Sequence, residues 1–308
     1  MNLVVVGTLA FDSVETPFGK RQEILGGSAT FLATSASYFT KVQMVGIVGE
    51  DFPDEHLEFF QSRGIDTAGV DRVVGRTFRW SGVYEYDLNV RHTLETQLNV
   101  LEQFEPDLPA AYRSAEYVVL GNLDPEMQLA VLDQLEKPKL VAADTMDFWI
   151  EGHRKALDRM LSRVDILLVN DAEARQLSGE YNLTKAAHAI RALGPRILVI
   201  KQGEFGALLF DGDAIFSAPG FPVEVIQDPT GAGDSFAGGM MGFLARRGKE
   251  DPMTLRQAMI MGSVTASFSV EDFSIDRIRD IPEDELRQRF SQFETLSHFE
   301  AHDDSLWN

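Results

Sequence analysis

The sequence predicts an α/β domain with a largely parallel sheet and helices on both faces. Three observations predict it: short apolar runs alternate with longer amphipathic ones, four of the short runs are continuously aliphatic, and the longer runs carry helix-start signals. Strands are expected at residues 3–6, 43–48, 117–120, 140–143, 166–169 and 197–200. The last four contain almost nothing but Val, Leu, Ile and Ala, as befits parallel strands buried on both faces. Helical periodicity fills the gaps at 29–39, 55–63, 126–135, 154–161, 172–177 and 185–193. Asp54 is placed to cap the second of these helices, and Pro125 suits the first turn of the third. Further on come a hairpin at Asp211-Gly212-Asp213, a strand near 223–226, and long helices at about 233–245 and 253–270.

Two stretches break the alternation. Residues 73–86 include Thr77-Phe78-Arg79-Trp80-Ser81-Gly82-Val83-Tyr84-Glu85-Tyr86, a β-rich run that places Phe78, Trp80, Tyr84 and Tyr86 on one strand face. Residues 11–24, with Pro17 and Gly19, suit a neighbouring hairpin. Together they suggest a small β lid, from about 11–25 and 73–100, inserted in one domain spanning 1–308. The aromatic face either packs on the core or meets a ligand or a second subunit.

The composition is that of an ordinary globular chain, 44% hydrophobic and 25% charged, but its formal net charge is −20. Such a surface repels phosphate backbones and anionic membranes, so neither nucleic acid nor membrane is expected as a partner. A single anionic ligand is still compatible, because a local array of backbone N–H groups can hold phosphate against the global field. There are no cysteines, which excludes disulfides, thiolate metal sites and cysteine nucleophiles. No apolar run has the length of a bilayer span and no basic leader precedes the first strand, so a cytoplasmic location is expected.

The chemistry concentrates in Asp228-Pro229-Thr230-Gly231-Ala232-Gly233-Asp234-Ser235, a glycine-rich turn that opens a helix. The first N–H groups of a helix lack intrahelical acceptors and lie at the positive end of its dipole. Gly231 and Gly233 let the backbone itself approach an anion, as a transferring phosphoryl group requires. Asp234, in the first turn, can accept a proton from an attacking hydroxyl. Read without further context, it is equally a helix-start residue beside a tight turn. The stretch is not a Walker A loop, and strand one is not followed by the Gly-x-Gly-x-x-Gly of a dinucleotide-dependent dehydrogenase.

Residues 228–234 closely resemble the Asp-Thr-Thr-Gly-Ala-Gly-Asp signature of the ribokinase-like (PfkB) carbohydrate kinases, with Pro229 replacing a threonine. Further similarities follow in order: Gly26-Gly27 opening a helix, Val45-Gly46-Ile47-Val48-Gly49-Glu50-Asp51 followed by Gly64-Ile65-Asp66-Thr67, Asn170-Asp171-Ala172-Glu173, and Lys201-Gln202-Gly203-Glu204-Phe205-Gly206. The resemblance implies a three-layer α/β/α sandwich with a mostly parallel central sheet and a small β lid. It also implies transfer of the γ-phosphoryl group of ATP to a hydroxyl, a hydroxymethyl group by expectation, of a sugar or, alternatively, a nucleoside. A catalytically silent sugar- or nucleotide-binding regulator on the same fold is the less favoured reading.

Residue roles are carried over on the same resemblance. Asp234 would be the base, with the amides of Ala232, Gly233 and Asp234 as anion hole beside Gly231. Asp12, Gly26 and Gly27 would hold the acceptor. Asn170, Lys201, Gly203, Gly206, Gly231 and Gly233 would bind ATP, and Asn170 with Glu173 would organise Mg²⁺ through water. Lys201 stands where threonine is usual, so an ammonium would replace a hydroxyl at phosphate. The carbonyls near Asp228 and Thr230 would hold the monovalent cation, K⁺, that many members use. Phe31 stands where a substrate-binding asparagine is common. Asp144 and Asp147, after the 140–143 strand, either help hold substrate or Mg²⁺ or are solvated loop carboxylates. A homodimer through the lid is the expected assembly.

Overall fold

The computed structural model describes residues 2–298. In chain order its elements are β1 (Asn2–Val6), β2 (Ala10–Thr16), β3 (Gly19–Gly26), α1 (Ser28–Ala36), β4 (Lys41–Gly49), α2 (Asp54–Ser62), β5 (Ile65–Val73), β6 (Phe78–Tyr84), β7 (Arg91–Gln97) and β8 (Tyr117–Leu120). There follow α3 (Pro125–Gln134), β9 (Leu140–Asp144), α4 (Asp147–Gly152), α5 (Arg154–Leu161), β10 (Ile166–Asn170), α6 (Asp171–Ser178), α7 (Leu183–Arg191) and β11 (Ile197–Lys201). The chain closes with β12 (Ala207–Asp211), β13 (Ala214–Ala218), α8 (Ala232–Arg247), α9 (Pro252–Ser269) and α10 (Glu283–Ser297).

The large sheet has nine strands in the order β13-β12-β11-β10-β9-β8-β1-β4-β5, parallel except for β12 and β13. Alternate residues of one strand enter different cores, as the two-residue period of a strand requires. Leu3 and Val5 of β1, with Val119, Ala142, Leu168 and Val199, pack against α1, α8 and α9. Val4 and Val6, with Val118, Val141, Leu167 and Leu198, pack against α3, α5, α6 and α7. This two-sided burial is why β8 to β11 read as unbroken aliphatic runs, and it gives the expected α/β/α layering.

A second, four-stranded sheet, β3-β2-β6-β7, is built from the two stretches that interrupted the alternation. β2 and β6 run parallel, with Ala10 opposite Phe78 and Asp12 opposite Trp80. The sheet is tied to the body at its base, where Thr16 Oγ1 donates to the Gln227 carbonyl (2.8 Å). The aromatic residues have different fates. Phe78 packs on the main core, Trp80 and Tyr84 join Val14 and Phe273, and Tyr86 is 85% exposed. Tyr86 lies past the end of β6 because Asp87 takes the Val90 and Asn89 amides into a turn (2.8 and 3.0 Å).

Two local expectations are corrected and a third is met. Asp54 does not cap α2; Pro53 holds that position, and Asp54 sits in the first turn as an ion-pair partner of Arg72 (2.7 Å). No strand forms at 223–226: Pro222 precedes the segment and Val225 is 57% exposed, so its aliphatic residues have no sheet face to cover. Pro125 does open α3, but its cap is the Asp124 carboxylate, which accepts from the Glu126 amide (2.8 Å). Among the described residues no helix is long and apolar enough to cross a membrane.

Candidate active site

Neighbouring strands β9, β10 and β11 end on Asp144, Asn170 and Lys201, so three polar side chains emerge at the carboxyl edge of the sheet. Ligands of open α/β sheets bind at this edge. The α8 N-terminus arrives at the same place. Its N-cap, Gly231, has φ 75°, and a Cβ there would lie 2.4 Å from the Phe31 ring. Phe31 therefore packs into the core beneath the turn and is 1% exposed.

At the helix start the Ala232 amide donates to the Pro229 carbonyl (3.1 Å). Among the described residues the amides of Gly233 and Asp234 have no acceptor. A cation supplements them: a Cβ on Gly233 would stand 3.0 Å from Lys201 Nζ. Two unpaired amides, a helix N-terminus and an ammonium suit a phosphoryl group.

Lys201 Nζ donates to Asp144 Oδ2 at 2.9 Å, with both side chains largely buried. Burial alone would lower the lysine, but the Asp144 and Glu173 carboxylates outweigh it and hold Lys201 above its ordinary value. Asp234 is pushed up to about 7 by burial and by the charge of Asp144, with Lys201 and Arg91 pulling against them. A carboxylate poised there can take a proton from a hydroxyl near neutral pH.

Asn170 and Glu173 form a capping box: Asn170 Oδ1 accepts from the Glu173 amide (2.8 Å), and Glu173 Oε2 accepts from the Asn170 amide (2.7 Å). The pair thus has a helix-starting duty of its own. Burial and the nearby Asp144 charge push Glu173 up to about 7, so a cation arriving beside it would relieve a real cost. Among the described residues no group of three or more His or acidic side chains is arranged to hold a metal directly.

Asp12 lies on the inner face of the second sheet, opposite Trp80, and the nearby Gly27 amide favours its charged form. A Cβ on Gly26 would stand 2.0 Å from Asp12 Oδ2, so only glycine leaves room for that carboxylate. Burial first, then the charges of Asp228 and Asp234, push Asp12 up to about 7. Asp228 is buried in an Asx turn with the Thr230 amide (2.8 Å), and its Oδ2 has no partner among the described residues. Thr230 Oγ1 donates to the Tyr84 hydroxyl (3.2 Å), which brings the second sheet onto the signature turn. An unpartnered buried carboxylate oxygen fits a monovalent cation.

Gly203 and Gly206 frame the turn between β11 and β12. Asn89, at the tip of the second sheet, lies on that turn and donates to Glu204 Oε2 (2.8 Å). Asn89 and Arg91 were not legible as site residues, because nothing in the chain reveals how far the β6–β7 hairpin reaches. Asp147 opens α4, and its charge adds to the rise at Glu173. A surface depression of about 480 Å³, lined by Phe11, His56, Phe59, Arg79 and Arg279, lies on the outer side of the second sheet and shares none of these residues.

Residues 3–278 match the model of the pfkB family carbohydrate kinases. The chain is 34% identical over 253 residues to the cytidine kinase of Thermococcus kodakarensis, covering 80% of this chain and 89% of that one. It is 28% identical over 288 residues to the nucleoside kinase of Methanothermobacter thermautotrophicus, covering 88% and 90%. Its fold is that of the Methanocaldococcus jannaschii nucleoside kinase, a member of the ribokinase family (TM-score 0.75, 19% identity, 94% and 98% covered). It is equally that of the Salmonella enterica aminoimidazole riboside kinase (TM-score 0.75, 22% identity, 94% and 100% covered). The chain belongs to the pfkB family of carbohydrate kinases and is an ATP-dependent kinase of the carbohydrate or nucleoside class.

Proposed function

We propose that the protein phosphorylates the hydroxymethyl group of a nucleoside, with ATP as donor and Asp234 as general base. The observation that carries the choice of acceptor is the 34% identity to a cytidine kinase over four-fifths of the chain. In this reading Asp12 grips two acceptor hydroxyls and points the third at Asp234. Asp234 takes the proton as the acceptor oxygen bonds to the γ-phosphorus and the bond to the departing ADP breaks. The Gly233 and Asp234 amides and the Lys201 ammonium receive the charge of the transferred group. The β11–β12 turn, with Gly203 and Gly206, lies along the nucleotide. Mg²⁺, held through water near Asn170 and Glu173, would neutralise phosphate charge, and K⁺ would sit by Asp228 and the carbonyls around Thr230.

The inner face of the second sheet suits a lid, since water excluded from this cleft cannot compete for the phosphoryl group. Its edge strand β7, six of whose seven residues are exposed, offers a surface for a second copy, and we include the homodimer in the proposal. A panel of nucleosides and free sugars in a coupled ADP-release assay, with product mass, tests the acceptor. Phosphorylation of a free sugar with nucleosides inert would overturn the nucleoside reading, and sedimentation velocity tests the dimer.

A further inference from the structure

Asp144 has no assigned role, yet it is the best-held carboxylate in the cleft. It ends β9, its Oδ1 accepts from the Thr145 amide (2.8 Å) and its Oδ2 takes Lys201 Nζ (2.9 Å). Two other acids, Glu173 and Asp234, lie near the same ammonium, but the hydrogen bond goes to Asp144. The consequence is geometric. The ammonium is drawn across two strands, from the end of β11 toward the end of β9, and on that path it passes over Gly233. Without the anchor it would pair with the remaining acids, and pairing with Asp234 would quench a base.

We propose that Asp144 is a positioning residue: it holds the Lys201 ammonium over the α8 start, where it meets the transferring phosphoryl group, and keeps it off Asp234. The proposal rests on the kinase reading above. It also accounts for the lysine in place of threonine, since a long cation among several acids needs a fixed partner, whereas a short hydroxyl does not.

A double-mutant cycle tests it, using Asp144→Asn, Lys201→Thr and the double variant. Asp144→Asn should lower kcat about 10- to 100-fold, the scale of a misplaced or missing charge donor. In the Lys201→Thr background the same change should cost less than about threefold, because the group to be positioned is gone. The same non-additivity should appear in the calorimetric affinity for a non-hydrolysable ATP analogue with Mg²⁺, a readout that does not require turnover. Full additivity, in turnover or in binding, would overturn the proposal by giving Asp144 a task independent of Lys201. If Asp144→Asn alone fails to fold, Lys201→Thr and the double variant still decide: equal activity supports the proposal, and a tenfold or greater gap overturns it. Absence of phosphotransfer by the unaltered protein to any acceptor would count against the kinase reading instead, and the binding cycle would still report on Asp144.

Discussion

Asp12 is a carboxylate that the fold holds more comfortably with its proton on, and asparagine in its place should stabilise the protein while removing acceptor binding. Burial raises Asp12 from the ordinary 3.8 to about 7. That difference is about three units, and at about 1.4 kcal/mol per unit the ionised form costs the fold up to about 4 kcal/mol. A carboxylate raised on folding gives its full stability below the unfolded value and loses it as pH climbs through the folded one. The wild type should therefore lose stability from this group between about pH 4 and pH 7, and Asp12→Asn should lose none. The advantage of the variant should grow by about 2–3 kcal/mol from about pH 5 to about pH 8, an upper bound because Asp228 and Asp234 contribute to the rise. Urea unfolding followed by tryptophan fluorescence at the two pH values measures it, and calorimetry with the acceptor measures the lost grip. A variant advantage that is equal at both pH values, or a less stable variant at the higher one, would refute the assignment of Asp12 as a buried charge.

Asp234→Asn should leave nucleotide affinity nearly intact and lower kcat about 10²- to 10⁴-fold, the usual worth of a general base, as single-turnover kinetics would reveal. In the wild type, log kcat should fall below a midpoint near pH 7, because Asp234 must be ionised to accept the proton; a flat profile from about pH 5 to 8 would contradict this. Glu173→Gln keeps an acceptor for the Asn170 amide, so melting temperature should hold while the Mg²⁺ concentration for half-maximal activity rises several-fold. Gly26→Ala should displace the Asp12 carboxylate and raise acceptor KM at least tenfold with little change in the KM for ATP, measured by steady-state kinetics.

Much of this architecture can be read from the chain because its cause is local. The aliphatic runs of β8 to β11 had to be buried on both faces, and the glycines around Asp234 had to form a turn before a helix. The capping box at Asn170 and Glu173 was likewise written in their spacing. What sequence could not supply was tertiary. The 223–226 segment has strand-like residues but no neighbouring strand to pair with, and β5, an edge strand with mixed burial, gave no clear alternation. Asp144 looked the same as any acid after a strand until Lys201, from two strands away, was seen to reach it. Nor could the chain alone reveal that Phe31 lies beneath Gly231.

The β2–β6 ladder bears on how the protein assembles. It joins Ala10 to Phe78, and the chain between them must first run through β3, α1, β4, α2 and β5. Pairings that close so long a loop form late, after local helices and the hairpin contacts within β2–β3 and β6–β7. Asp12 lies on that ladder, whereas Asp234 lies on a helix packed between α1 and α9. The Asp234 helix meets α1 across a longer loop still, so neither half of the cleft is complete until distant parts of the chain have met. During refolding, nucleotide binding and acceptor binding should return together, and both should trail the helical signal.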